Sequence, residues 1–385
     1  MSVEASSSEW LRVLLPGTIT TMAAAAQVSQ LSDTNWQTPL DLDLADVTRV
    51  DMAGLTTLLS VLNERSATGH ETRISMPRDP AVTELLLESA FPSAAAMVSR
   101  PQFRSLIWGA DVLPIQDRVR LLRPSPSQPS STAYQRLRDE RFFGFVTYSF
   151  QAEPQIASVV ATERSRWRGP LVLSFLDSAL AHDGAEIARV VIHELLTNAI
   201  LHPGGDVVTI SSWVTPTGSG RAELTISVWD NGDCMIRALR TGLSAQRSLR
   251  VADAVVDDTF AVESSGWQPR SAKYAANWTP DDTSTDEELL LAAIFPGISH
   301  RPAEATPHRR VFPQGYGLHA LYRCVVDLFG GSLEIRTGRQ QLNLVGNRLR
   351  RQRGTHRYRA HLARLTGRPL HGNLLTVRLP MRHAQ

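Results

Sequence analysis

Of the forty basic side chains in this 385-residue chain only Lys273 is a lysine. Schiff-base or lysine-nucleophile chemistry would therefore have to rest on that one residue. Cysteine is equally scarce. Cys234 and Cys324 are too few for a disulfide framework or a thiolate zinc site, and they fit a reducing cytoplasm. Charge of one sign is also missing, because forty basic and thirty-eight acidic residues leave a formal charge of +2. That balance excludes a globally basic nucleic-acid-coating protein and an acidic tail protein, so any basic surface is local. No run of eighteen apolar residues occurs, and residues 1–10 carry Glu4 and Glu9 in place of an apolar leader. The expectation is a cytoplasmic protein with no membrane association. What is present is 42% apolar and 20% charged residues, enough for a real core, over a length about twice that of one domain.

Both halves read as α/β. Leu40, Leu42 and Leu44 alternate as in a strand, and Leu55, Leu58, Leu59 and Leu62 follow at helical spacing after the junction Asp51-Met52-Ala53-Gly54. A short strand at 73–76 and a helix over 81–89 come next. The run PSPSQPSST at 124–132 has no apolar residue and marks the boundary, which divides the chain into domains at 1–112 and 137–385 joined by a Pro/Ser-rich linker at 113–136. Beyond it the pattern predicts a strand at 142–150, a helix at 185–201, a hairpin of strands at 206–214 and 222–229, a helix at 318–329, and strands at 332–336 and 373–379. Residues 231–314 lose clear periodicity and include the acidic stretch DDTSTDEE. A segment so long reads as a functional insertion.

Three stretches carry chemistry. The helix AEIARVVIHELLTNAILH sets Glu194, Asn198 and His202 four residues apart on one face, bordering the apolar stripe of Ile187, Val191 and Leu195. A carboxylate and an amide one turn apart suit a hydrated Mg²⁺ and its phosphates, though such a line is also what a solvated helix face looks like. A strand then runs into Asp230-Asn231-Gly232, where an acceptor-only carboxylate would take a hydrogen bond from adenine's amine but oppose guanine's oxygen. The same tripeptide is an ordinary turn sequence. Finally, Gly315-Tyr316-Gly317-Leu318 opens a helix, whose unpaired amides favour a polyphosphate.

In this order the motifs resemble the GHKL ATP-binding fold of histidine kinases, Hsp90-type chaperones and MutL-type ATPases, over residues 137–385. The resemblance implies an α/β sandwich with a mixed sheet and helices on one face. It implies Glu194 as the catalytic or water-orienting acid and Asn198 as the Mg²⁺ ligand. Asp230 and Gly232 would read adenine, Gly315, Tyr316, Gly317 and Leu318 would hold the phosphates, and Thr376 on the last strand would contact the nucleotide. Two departures stand out. Asp233-Cys234 replace the second glycine expected after Gly232, and Asn373 stands where threonine is common. The ATP lid would span 233–314, ending near the cations of His308-Arg309-Arg310. His193 reads as a packing residue, because Asn198 stands where a phosphoacceptor box usually has proline.

Residues 42–55 resemble the STAS fold of anti-sigma-factor antagonists, where the residue before the glycine is phosphorylated; here it is Ala53. That switch is absent unless Thr56, Thr57 or Ser60 substitutes. An Arg-rich insertion at 338–370 places eight arginines between Arg348 and Arg368, which suits a solvated helical insertion or an acidic partner better than nucleic acid. The resemblances together imply an ATPase or protein serine kinase in which Mg-ATP switches a regulatory protein partner, with a homodimer expected. The alternatives are a non-catalytic nucleotide scaffold and an ATP-gated nucleic-acid clamp.

Overall fold

The computed structural model describes residues 10–19, 24, 31, 33–99, 143–150, 153–180, 184–201, 205–217, 221–245, 249, 260–264, 279–299, 315–346, 358–365 and 368–381. The expected linker at 113–136, His202, His308-Arg309-Arg310 and five of the clustered arginines, Arg348 to Arg357, lie outside the described residues.

The N-terminal unit runs β1 (Leu11–Leu14), β2 (Thr18–Ile19), α1 (Asp33–Gln37), β3 (Leu40–Asp43), β4 (Arg49–Val50), α2 (Met52–Ala67), β5 (Thr72–Ser75), α3 (Pro80–Glu88) and α4 (Phe91–Val98). Strands β1, β3 and β5 form a parallel sheet in that order, and β2 pairs in parallel with β4. Asp51 caps α2 by accepting the Gly54 N–H at 2.5 Å, and Asp79 caps α3. Every residue of α2 from Met52 to Asn63 is buried. A helix enclosed all round must be covered on more than one side, and α2 touches β5 on one side and the large sheet on the other.

The C-terminal half follows as β6 (Gly144–Ser149), α5 (Glu153–Trp167), α6 (Pro170–Ala179), α7 (Gly184–Leu201), β7 (Val207–Thr217), β8 (Arg221–Asp230), α8 (Met235–Ser244), β9 (Phe260–Ser264), α9 (Asp286–Ala292), α10 (Gly317–Tyr322), β10 (Ser332–Gly338), β11 (Gln340–Gly346), β12 (Tyr358–Arg364) and β13 (Leu370–Pro380). A π-helical stretch, Arg323–Leu328, continues α10. The sheet has eight strands in the order β6-β7-β8-β13-β10-β11-β12-β9. Seven are antiparallel, and β9 joins the edge in parallel.

Two sequence expectations change here. The 231–314 region is not irregular throughout, since it contains α8, β9 and α9. The acidic stretch is the start of α9, where Thr285 and Glu288 form a capping box ahead of the buried run from Leu289 to Ala292. The 338–370 region is not a helical insertion in its described part but supplies β11, β12 and the end of the β10 hairpin.

Paired residues in an antiparallel ladder share a face. Ile210, Val228, Leu375, Ile335 and Leu342 form one apolar row, and α7 covers the sheet on this side. The opposite row is Ser211, Ser227, Thr376 and Glu334, and α2 lies across it, with Thr56 Oγ1 3.4 Å from Ser211 Oγ. This seam is unusually polar. Arg378 bonds Glu334 at 2.9 Å and lies 3.8 Å from Asp51 and 3.9 Å from Glu223. Burial raises the pKa of Asp51 and of Glu223, with Arg378 pulling both back. Thr56, Thr57 and Ser60 are buried, their hydroxyls bonded to the carbonyls of Met52, Ala53 and Thr57. None of the three can stand in as an accessible phosphoacceptor while α2 is seated.

Replacing Arg378 with Ala leaves Asp51, Glu223 and Glu334 facing one another without their cation. The loss should be about 3–5 kcal/mol of unfolding free energy in denaturant titrations; a change within about 0.5 kcal/mol, the usual surface range, would show that the seam is not held electrostatically.

Candidate functional site

Helix α7 forms because its apolar residues recur at helical spacing. Val191, Ile192, Leu195, Leu196, Ala199 and Ile200 are all buried, and the helix packs on α5, α6, α10 and β8. Glu194 is buried and Asn198 half-buried, one turn apart. Glu194 Oε1 lies 3.8 Å from His193 Nε2, which is itself 3.4 Å from Arg164. His193 is buried, as a packing residue would be, and also borders the acid.

The turn that opens α10 meets this face. A Cβ built on Gly317 would lie 2.3 Å from Glu194 Oε2 and 3.7 Å from Asn198 Oδ1, so only a glycine backbone comes this close without displacing the acid. Gly315 sits on the other side of the turn, its carbonyl accepting the Gly297 N–H at 3.0 Å. Tyr316 and Leu318 are half-buried in the same turn. The Asn198 Nδ2 atom is buried with no hydrogen-bond partner among the described residues, an orphan that a ligand or water can satisfy.

Asp230 ends β8 on the α7 side of the sheet and is 0% exposed. Its Oδ1 accepts from the Gly232 N–H at 2.9 Å and from Asn373 Nδ2 at 3.0 Å. Asn373 Oδ1 in turn accepts from the Met235 N–H and the Thr337 hydroxyl, at 2.9 and 2.7 Å. Burial pushes the Asp230 carboxyl pKa up to about 7, against the pull of the Gly232 N–H and Asn373. Gly372 has φ +76°, and a Cβ there would overlap the Asp230 carbonyl oxygen, which is why the β13 chain can run so close beneath it.

The structure thus brings Glu194, Asn198 and Gly317 together, and sets Gly232 beside the Asp230 carboxylate. Thr376 is the exception. It pairs with Ser227, bonds its hydroxyl at 2.9 Å, and faces α2 instead of the α7 side. Being three residues from Asn373, it falls on the opposite side of the pleat, so Thr376 is removed from the site. Asn373 and Thr337 take the place expected of it. Sequence reasoning named Asn373 only as a departure and missed Thr337 altogether; the signal lay in register, since Asn373 stands opposite both Asp230 and Thr337.

Comparison of the chain with protein-family models, curated proteins and solved structures finds no match. Among the described residues no single helix is long and apolar enough to cross a membrane, although the bent pair α3 and α4 passes by length and composition together.

A carboxyl that holds its proton to about pH 7 when folded, but to about 4 when unfolded, favours the native state fully below the lower value. That contribution is lost as pH rises to about 7. Thermal melts of Asp230→Asn against the parent chain from pH 4 to 8 should show the variant gaining relative stability over this window. Parallel pH curves would mean that the carboxyl is ionised in the folded protein.

Proposed function

We propose that this is an ATP-binding regulatory protein, in which Mg-ATP at the α7–β8–α10 site changes how the N-terminal unit meets a protein partner. The observation that carries the reading is that the Gly317 turn lies against Glu194 and Asn198, which puts a glycine turn and a polar helix face in one place. The contact is closed, so a polyphosphate would enter between them only as the turn moves away. Asn198 would hold Mg²⁺ and Glu194 would orient or deprotonate water. Asp230 would accept the adenine amine, and residues 315–318 would wrap the phosphates. The donor set fits this ion. No cluster of three or more His, Cys, Asp or Glu that could hold a metal occurs among the described residues, and Mg²⁺ usually takes only one or two protein ligands and completes its shell with water and phosphate.

The link to the N-terminal unit has its own support. Asn231, next to Asp230, bonds the Asp206 side chain at 2.7 Å and reaches Asn63 of α2 at 3.4 Å. A ligand that shifts the end of β8 would therefore be felt at α2. Partner switching and homodimer formation are the proposed outputs. Burial of Glu194 also favours a second reading, a nucleotide-holding scaffold without turnover, because a water-orienting acid needs access to water.

The two separate on labelled γ-phosphate. Free phosphate identifies an ATPase, label on a partner protein identifies a kinase, and ATP binding with neither identifies the scaffold. Glu194→Ala should abolish turnover and keep binding. Asp230→Ala should lose roughly tenfold or more in ATP affinity. In the parent chain affinity should rise with pH up to about 7 and binding should release protons, because the amine needs an ionised acceptor. Unaltered affinity in Asp230→Ala would remove the adenine assignment.

A further inference from the structure

A cavity of about 530 Å³ opens on the α8 side of the β10–β11 turn and adjoins the Asp230–Asn373 end of the candidate nucleotide site through Thr337 and Gly372. Its lining includes Cys234, Arg237, Arg240, Arg339, Gln340 and Arg364. None of Glu194, Asn198, Asp230, Gly315 or Gly317 belongs to it.

The charge of the cavity follows from which ions are already paired. Its two carboxylates, Glu64 and Asp286, are both ion-paired, although Glu64 Oε2 is buried with no hydrogen-bond partner among the described residues. Glu64 Oε1 accepts from Arg368 Nε at 3.1 Å, and Asp286 Oδ1 accepts from Arg240 at 2.8 and 3.1 Å. Arg240 is further fixed by the Ser284 carbonyl at 2.7 Å. Arg339 and Arg364 are exposed and have no ion pair or side-chain hydrogen bond among the described residues. Arg237 has only the exposed Asp233 at 3.8 Å. Two guanidinium groups are thus left uncommitted and a third only loosely paired around one cavity, a field that concentrates anions.

A second observation points inward. Gln340 is 2% exposed, lines the cavity, and its Oε1 has no hydrogen-bond partner among the described residues. A buried amide is rarely left so, and it suits a ligand hydroxyl, or with the amide reversed, a ligand oxygen. The apolar lining is aliphatic, from Ile236, Pro369 and Leu370, with no Phe, Tyr or Trp. The one aromatic ring in the lining is His371, and the planar guanidinium forks match phosphate oxygens.

We propose that this cavity is a binding site for a small organic phosphate carrying hydroxyl groups, adjoining the nucleotide site but distinct from its metal and phosphate residues. Its walls come from α2 through Glu64, from α8 and α9, and from the β10–β11 turn. An occupant therefore ties the two helices of the 233–314 segment to the β10–β11 turn of the sheet and to the N-terminal unit.

Cys234 in the wall gives a local readout, and half-buried Cys324, whose thiol pKa is raised by burial, is the internal control. Iodoacetamide labelling of the full chain is followed by peptide mass spectrometry at matched ionic strength, with fructose 1,6-bisphosphate as probe and fructose as neutral control. The bisphosphate should slow Cys234 alkylation roughly tenfold near saturation and leave Cys324 unchanged. Arg339→Gln/Arg364→Gln, both on exposed positions and checked for an unchanged melting temperature, should weaken that protection roughly tenfold. If the double variant melts early, each single substitution should weaken protection by a smaller factor. Equal Cys234 rates with and without the bisphosphate, or protection that survives loss of the arginines, would overturn the site. Mg-ATP binding measured on the same samples reports separately on the nucleotide reading, whose metal and phosphate residues Glu194, Asn198 and 315–318 lie outside this cavity.

Discussion

Enclosure of helix α2 on every side is the constraint that fixes the rest of the molecule. Its residues from Met52 to Asn63 are all buried, so the large sheet cannot keep a wet face where α2 lies. The covered face is not an ordinary apolar one. Ser211, Ser227 and Thr376 are satisfied by hydroxyl contacts, and Arg378 gathers Asp51, Glu223 and Glu334. Arg336 is fully buried in the same face with no hydrogen-bond partner for its guanidinium nitrogens among the described residues, and burial lowers its pKa to about 10, against the charges of Asp230 and Glu334. The paired groups around Arg378 and the hydroxyls contribute little net stability but penalise every arrangement that breaks a pair. The seam therefore specifies how α2 lies more than it strengthens the fold.

The same seam connects the two ends of the proposed function. At the α2 C-terminal half, Asn63 reaches Asn231 and Glu64 takes Arg368, whose guanidinium also stacks 4.4 Å over the Trp36 ring. Asn231 directly follows Asp230, and Asn373 clamps Asp230 to the start of α8. A chain of direct contacts thus runs from the N-terminal unit to the end of β8 and on to the helices of the 233–314 segment. In the proposed function this chain would carry a nucleotide's presence to a partner. Spatial continuity is the physical requirement for such coupling, and its strength depends on whether the chain has two discrete arrangements.

Much of this was legible in the residues. Helical spacing found α7, and with it the shared face of Glu194 and Asn198; alternation found β7 and β8; glycine pairs found the ends of the helix that begins at Gly317. What escaped needed partners remote in sequence. Thr376 and Asn373 sit on one strand, and only the pairing of β13 with β8 says which of them faces Asp230. Helix α8 was hidden because its buried residues, Met235, Ile236, Leu239 and Gly242, are interspersed with Arg237, Arg240 and Thr241. The capping box of α9 was readable but was masked by its acids, which look like solvated surface. Strands β11 and β12 were overshadowed by the arginine count of their neighbourhood, although Leu342, Leu344 and Leu362 are core residues.

Hydrogen–deuterium exchange with and without Mg-ATP tests the central claim most directly, because it reads the three stretches in one sample. The account predicts that amides in 192–201, 229–235 and 315–322 gain protection together, with one shared dependence on nucleotide concentration. Protection confined to a single stretch, or none at saturating nucleotide, would contradict it.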